Sequence, residues 1–375
     1  MDKKGIWKYN GNVNKVWIIW ILYGGVNMVK VKKLVAMAMA TMMIGGVLAG
    51  CGGEKATGGA AGGEGDPVKV GVCLYKFDDT YISTVRQSLE KIQSENAGKV
   101  EFEFVDGKGD QATQNDSIDT LLQKDVDLLM VNLVDTGAAQ AVIDKIKGEE
   151  VPVVLFNREP EAKAIKSYDK AMFVGTNAKE AGVLQGKILE KEWKANKALD
   201  KNGDGVMQYV MLQGEPDNPE AIARTEYSVS TIKDAGIKVK QVAHQVCNWD
   251  QAQAQNAMEA WLSRYNDEIE VVIANNDGMA QGAIAALQAQ GYNNGDEKKT
   301  IPVVGVDATA AAQDLISKGF MTGSVLQDAP AMAKALYECG MNLAEGKSGI
   351  EGTEYKFDDS GIAVRIPYQE YTNKK

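Results

Sequence analysis

The chain has 375 residues, enough for about two domains. Hydrophobic residues make up 45% and charged residues 25%, an ordinary globular balance. The formal net charge of -10 argues against nucleic acid as a partner, because phosphate binding needs clustered Lys and Arg.

The N-terminal stretch "KVKKLVAMAMATMMIGGVLAGC" has a basic start, an apolar run and small residues before Cys51. That is the layout of an export signal over residues 1–50, and the run after Lys33 is shorter than the ~20 residues a membrane span needs. A second apolar run, "KVWIIWILYGGVN", precedes Met28, and Met28 is expected to be the true start. The ending Leu48-Ala49-Gly50-Cys51 resembles the bacterial lipobox, in which the cysteine is lipidated and becomes the mature N-terminus. "GGEKATGGAAGGEGD" follows and has no apolar face, so residues 51–66 read as a lipidated cysteine on a flexible tether. The expected product is a soluble domain held on the outer face of a membrane by its lipid.

From Pro67 onward short apolar runs alternate with helical patterns. The strand candidates are 68–75, 100–106, 127–134, 151–157 and 171–176, then 207–214, 238–246, 271–276, 301–307 and 322–326. Segments such as "TYISTVRQSLEKIQSE" and "DQAQAQNAMEAWLSRY" lie between them. This alternation predicts an α/β fold of parallel sheets with helices on both faces, and the strand number predicts two doubly wound lobes. Cys73, Cys247 and Cys339 show neither CxxC nor Cys/His pairing and read as small buried hydrophobes.

In doubly wound folds ligands sit at the carboxyl ends of strands. Several apolar runs here end in polar residues: Asp78 and Asp79, then Asn157, Arg158 and Glu159, then Asn276 and Asp277, then Asp307, then Gln327 and Asp328. Repeated ends of this kind indicate a shared polar cleft. The sequence shows no GxSxG, P-loop or HExxH, and the single His244 lies in an alternating strand pattern, so no enzyme is expected. Asp, Asn and Arg suit sugar hydroxyls, and Tyr81 and Trp249 are candidate platforms for the apolar face of a ring. The loop "DKNGDGVMQ", Asp200 to Gln208, opens like an EF-hand calcium loop, but its twelfth position is Met211, which cannot ligate. Either the match is chance or a carboxylate arrives from elsewhere.

In order along the chain stand "VGVCLYKFDDTYISTVR", "VPVVLFNREP", "GEPDNPEAIARTEY", "VVIANNDGMAQGAIAAL", "GVDA" and "VRIPY". Together, from Pro67 to Tyr368, they resemble the bacterial galactose/glucose-binding proteins of ABC sugar importers, a branch of the type I periplasmic binding protein fold. The resemblance implies sugar contacts at Asp79, Asn157, Arg224, Asn276 and Asp307, with aromatic walls at Tyr81 (more usually Phe) and Trp249. It departs at Asn218, Glu220 and Gln327, where the family has histidine, aspartate and asparagine, so the exact sugar is left open. It implies a structural Ca²⁺ held by Asp200, Asn202, Asp204, the Val206 carbonyl, Gln208 and a borrowed Glu270. It implies three hinge crossings near Thr176–Asn177, Leu326–Ala329 and Tyr355–Phe357. The lobes would then be 67–176 plus 328–355 and 177–327 plus 356–375. The expected role is a monomeric, lipid-anchored receptor that captures a monosaccharide such as galactose, glucose or a methyl-galactoside for an ABC permease. A chemoreceptor is a further expected partner. Rival readings are a sugar-responsive repressor, disfavoured because no helix-turn-helix precedes residue 67, and a glycosidase.

Overall fold

Two six-stranded sheets carry the fold. The first is built from β1 (Val68–Leu74), β2 (Val100–Asp106), β3 (Leu128–Val131), β4 (Val153–Phe156), β5 (Ala171–Gly175) and β11 (Ala363–Arg365). The second is built from β6 (Val206–Gln213), β7 (Lys238–Val246), β8 (Val271–Ala274), β9 (Val303–Asp307), β10 (Gly323–Leu326) and β12 (Gln369–Thr372). The computed structural model describes residues 66–373. The export signal over 1–50, the start at Met28, the lipidated Cys51 and all of the tether but Asp66 lie outside the described residues.

The first sheet runs β11-β5-β4-β3-β1-β2 and the second β12-β10-β9-β8-β6-β7, so one topology appears twice. All strand pairs are parallel except β12, which closes the second sheet antiparallel to β10. Central strands such as β3, β4 and β8 are buried at every residue, because helices cover both faces and apolar side chains are needed on each. The edge strand β7 has no fully buried residue and exposes lysines at 238 and 240, which discourages pairing with another chain.

In the first lobe α1 (Ile82–Glu95) and α10 (Ala329–Ala344) cover one face, and α2 (Gln111–Leu122), α3 (Ala139–Gly148) and the short α4 (Ala162–Ile165) cover the other. In the second lobe α7 (Gln251–Tyr265), α8 (Asp277–Ala289) and α9 (Ala310–Ser317) cover one face. There α5 (Ala178–Ala195) and α6 (Pro219–Asp234) cover the other. Cys73, Cys247 and Cys339 are buried and free, and burial pushes each thiol up to about 12, which leaves them inert.

The chain passes between the lobes three times. Two passages lie where expected, after Gly175 at the end of β5 and between β10 and α10. The third does not lie near Tyr355–Phe357. Residues 363–365 still pair with β5 in the first sheet, and the chain reaches the second sheet only at Gln369, so the passage is Ile366–Tyr368. Residues 356–365 therefore belong to the first lobe. The two strands flanking this passage, β11 and β12, have three and four residues. Only their partners mark them as strands.

Helices α5 and α6 lie close because Gly182 and Gly186 face the partner one turn apart. A Cβ at Gly182 would stand 2.8 Å from the Ala223 carbonyl oxygen, and one at Gly186 would stand 2.6 Å from that of Ser228. Overpacking costs about 1–3 kcal/mol, whereas alanine regains only about 1 kcal/mol of helix propensity. Gly186→Ala is therefore expected to lower the unfolding free energy by about 1–2 kcal/mol in urea titration.

Candidate functional site

Each sheet reverses its strand order between its first and third strands, where doubly wound folds open a crevice. The two crevices face one another across a single cleft. All ten residues expected at the site line it: Asp79, Tyr81 and Asn157 from the first lobe, Asn218, Glu220, Arg224, Trp249, Asn276 and Asp307 from the second, and Gln327 at a crossing. Tyr75, Ile82 and Arg158 also line it and are not among those ten. Arg158 had one sequence signal, its place beside Asn157 at a polar strand end. Tyr75 and Ile82 had none, being apolar-run residues at the junctions of β1 and α1.

Helix starts position much of the rim. The Asp79 carboxylate accepts the Tyr81 and Ile82 amides through Oδ1 (3.0 and 2.8 Å) and the Tyr75 hydroxyl through Oδ2 (2.5 Å). Asn218 caps α6, accepting the Glu220 amide at 2.9 Å, with Pro219 at the first helical position. Asn276 caps α8, accepting the Met279 amide at 2.9 Å. Capping uses the oxygen of each asparagine; it leaves the Asn218 NH₂ available, while the Asn276 NH₂ also donates to the Trp249 carbonyl at 3.4 Å. The first-turn amides that remain add a positive field at the cleft, suited to carboxylates and hydroxyl oxygens.

The two aromatic walls come from opposite lobes. Tyr81 turns its hydroxyl away from the cleft onto Met332 Sδ (3.5 Å), so it offers the cleft a ring, as phenylalanine would. Trp249 lies over Gly214, where a Cβ would meet the indole at 2.4 Å, and only glycine permits that approach. Three lining residues, Asn157 (φ 61°), Trp249 (φ 64°) and Asp307 (φ 115°), hold left-handed backbone that non-glycine residues rarely adopt. Such strain concentrates at functional sites. Buried polar atoms without a protein partner also point to a ligand: Arg158 Nε, Asp307 Oδ2 and Gln327 Nε2 all belong to lining residues.

Arg224 is buried at the centre. It donates to Glu220 Oε2 (3.1 Å), the Asn275 carbonyl (2.8 Å), Gln327 Oε1 (3.2 Å) and the Tyr368 hydroxyl (2.8 Å). Burial opposes its charge, but Tyr368, Glu220 and Asp307 around it overcome this and raise its pKa. At the cleft mouth Arg158 stacks on the Tyr75 ring (4.4 Å), donates to the Val134 carbonyl (2.8 Å) and forms an ion pair with Glu215 of the other lobe. His244 has a structural place in β7, with Nε2 2.7 Å from Gln213 Oε1.

The expected metal loop packs against β8. Asp200 accepts the amides of Asp204 (3.1 Å) and Gly205 (2.9 Å), and Asp204 accepts those of Val206 (2.8 Å) and the Gln208 side chain (2.9 Å). Glu270 reaches the loop from the start of β8 and accepts the amides of Lys201 (2.7 Å) and Gln208 (2.9 Å). Burial raises the Glu270 pKa, and the negative charges of Asp200 and Asp204 add to that. Gly203 and Gly205 turn the loop with positive φ. Among the described residues no three His, Cys, Asp or Glu side chains converge at metal-holding distances. Yet Gln208 Oε1 is buried without a partner, and the surrounding donors, Asn202 Oδ1 and the Val206 carbonyl among them, are all hard oxygens. That donor set fits a hard divalent cation in kind.

Asp277 and Asp307 are both buried beside the cleft. Asp277 accepts the Ser324 hydroxyl (2.6 Å) and the Thr309 amide (2.7 Å), but burial dominates and pushes it up to about 7. Burial, then the neighbouring Asp277, raises Asp307 well above the ordinary carboxylate range. A folded pKa above the ordinary 3.8 makes the Asp277 contribution to stability complete in acid and lost as pH rises through about 7. Between about pH 4 and 7 the protein is expected to lose unfolding free energy through this group. Asp277→Asn should flatten that part of the profile in urea titrations at stepped pH.

Residues 70–348 match the model of the periplasmic binding protein domain family. The chain is 44% identical over 301 residues to the D-galactose/methyl-galactoside binding periplasmic protein MglB of Haemophilus influenzae, covering 80% of this chain and 88% of that one. It is 24% identical over 278 residues to the ribose import binding protein RbsB of Bacillus subtilis, covering 74% and 82%. An ABC transporter solute binding protein from Bacillus halodurans, solved with myo-inositol, superposes with a TM-score of 0.66 at 26% identity, covering 83% of this chain and 96% of that one. These relatives are solute-binding proteins, not enzymes. The two-lobed chain with its central cleft belongs to the periplasmic binding protein family.

Proposed function

We propose that this chain captures a monosaccharide in the cleft and delivers it to the permease of an ABC importer, with galactose, glucose or a methyl-galactoside as the solute. The observation that carries the reading is the pairing of two aromatic rings, Tyr81 and Trp249, on opposite sides of one cleft rimmed by Asp79, Asn157, Arg224, Asn276 and Asp307. A pyranose has apolar C–H faces for the rings and paired hydroxyls for planar amide, guanidinium and carboxylate groups. The 44% identity to a galactose/methyl-galactoside binding protein supports the same solute class. Because both lobes contribute contacts, sugar favours the closed form by differential affinity, and the permease then reads that form.

In this reading Cys51 carries lipid and holds the domain on the outer face of the membrane, with the glycine-rich tether as spacer. Ca²⁺ is held by Asp200, Asn202, Asp204, the Val206 carbonyl, Gln208 and Glu270, where it neutralises three acidic side chains and ties the loop to β8.

Calorimetry against glucose, galactose, xylose, ribose and arabinose tests the solute. At least one hexose is expected to bind, and Trp249→Ala is expected to weaken it at least about tenfold, since losing one buried aromatic contact is worth more than about 1.4 kcal/mol. Binding of a non-carbohydrate with no response to any sugar would refute the assignment.

The metal is tested by melting. At a hundredfold excess over Kd, added Ca²⁺ is expected to raise the Tm of chelator-treated protein by roughly 5 °C, and Glu270→Gln to remove the response. A Tm indifferent to chelator and Ca²⁺ alike would exclude the site.

A further inference from the structure

The three passages between the lobes each send one side chain to the same buried ion pair. Thr176, at the first passage, donates its hydroxyl to Glu220 Oε1 at 2.7 Å. Gln327, at the second, accepts Arg224 Nη2 at 3.2 Å. Tyr368, at the third, has its hydroxyl oxygen 2.8 Å from Arg224 Nη2, 3.0 Å from Glu220 Oε2 and 3.0 Å from Thr176 Oγ1. Glu220 and Arg224 lie one turn apart on α6 and pair at 3.0 Å.

We propose that Glu220 is a positioning residue, a strut that fixes the hinge and orients Arg224, and that it is not a contact to the solute. The inference rests on the solute-capture reading and changes the role given to one of its residues. A carboxylate offers about four acceptor sites. Here Oε2 faces both Arg224 Nε and Tyr368, and Oε1 faces Thr176, so at most one site on Oε1 is left toward the cleft. An aspartate, one methylene shorter, would withdraw from Thr176 and free its oxygens for the ligand. With glutamate the extra reach ties the α6 N-terminus to the moving strands. The side-chain carboxyl groups left for a solute are then Asp79 and Asp307, one in each lobe. Thr176 is 2% exposed and is not a lining residue, which makes it an independent handle on the strut.

The test uses the full chain in three variants. Glu220→Gln has one acceptor oxygen where the carboxylate has two, so whichever way the amide turns, either Thr176 or the Arg224–Tyr368 side loses its acceptor. Thr176→Val keeps the shape and removes the hydroxyl. The third variant combines both. Each single variant is expected to weaken glucose and every monodeoxyglucose by a common factor of about ten, the scale of one hydrogen bond to a charged group. The double variant should lose little more than one single variant, because the two act in one network. In small-angle scattering of the sugar-free protein, both single variants are expected to shift the radius of gyration, because a weakened strut changes the resting opening of the lobes.

The proposal is overturned if the Glu220→Gln loss disappears for one particular deoxysugar while Thr176→Val is silent, since that marks a direct hydroxyl contact. It is equally overturned if neither variant alters sugar-free scattering. If the unsubstituted protein binds no sugar, the solute reading fails, and scattering still decides the strut.

Discussion

A full positive charge buried at the junction of two lobes is the constraint from which the rest of the site follows. Arg224 is 3% exposed, and an unpaired guanidinium there would cost several kcal/mol. Its N–H groups must therefore find acceptors, and those within reach come from Glu220, Asn275, Gln327 and Tyr368. Four of its five N–H groups are satisfied in this way, leaving one on Nη1. The acceptors belong to α6, the end of β8 and two of the passages between lobes. Satisfying one cation thus gathers residues from the strands that pass between the lobes.

Duplicated topology supplies the other half of the geometry. Both sheets use the same strand order, and their switch points open toward each other. Asp79, Asn218 and Asn276 each stand between a strand end and a helix start, where the backbone leaves unpaired amides. The side chains serve as local caps and as rim groups together, so their orientation is set before any solute arrives. This is preorganisation built from ordinary helix chemistry. The left-handed backbone at Asn157, Trp249 and Asp307 adds to it by aiming side chains in directions that relaxed strands would not reach.

Departures from the expected pocket have distinct physical characters. Tyr81 leaves the wall unchanged, since its extra hydroxyl is spent on Met332 inside the first lobe. Asn218 is held by its capping duty and faces the cleft with a neutral NH₂. Glu220 and Gln327 each use added length to reach the hinge network. Differences that look equivalent along the chain thus fall into a wall, a cap and a hinge once their neighbours are known. Arg158 and Glu215 add an ion pair across the mouth of the cleft, between loops that follow different sheets.

Residue pattern alone carried much of this. Continuous apolar runs such as "VVLF" and "VVIA" specify strands buried on both faces, and the polar residues directly after them specify where a cleft opens, because both are local consequences of helices covering each sheet. Short strands such as "AVR" were not legible. Three residues carry too little periodicity, so β11 and the true third passage emerge only from pairing with β5. Tyr75 and Ile82 read as core and yet line the cleft, since a residue just past a strand end or at the first turn of a helix can face either way. By itself, then, the sequence determined the fold class, the two lobes and the chemical types around the cleft, all of which follow from short-range patterning. Only the tertiary structure decided which oxygen of which side chain is already engaged. Hydrogen bonds between residues such as Thr176, Glu220 and Tyr368 join positions 44 and 148 apart in the chain, and only folding sets such distances.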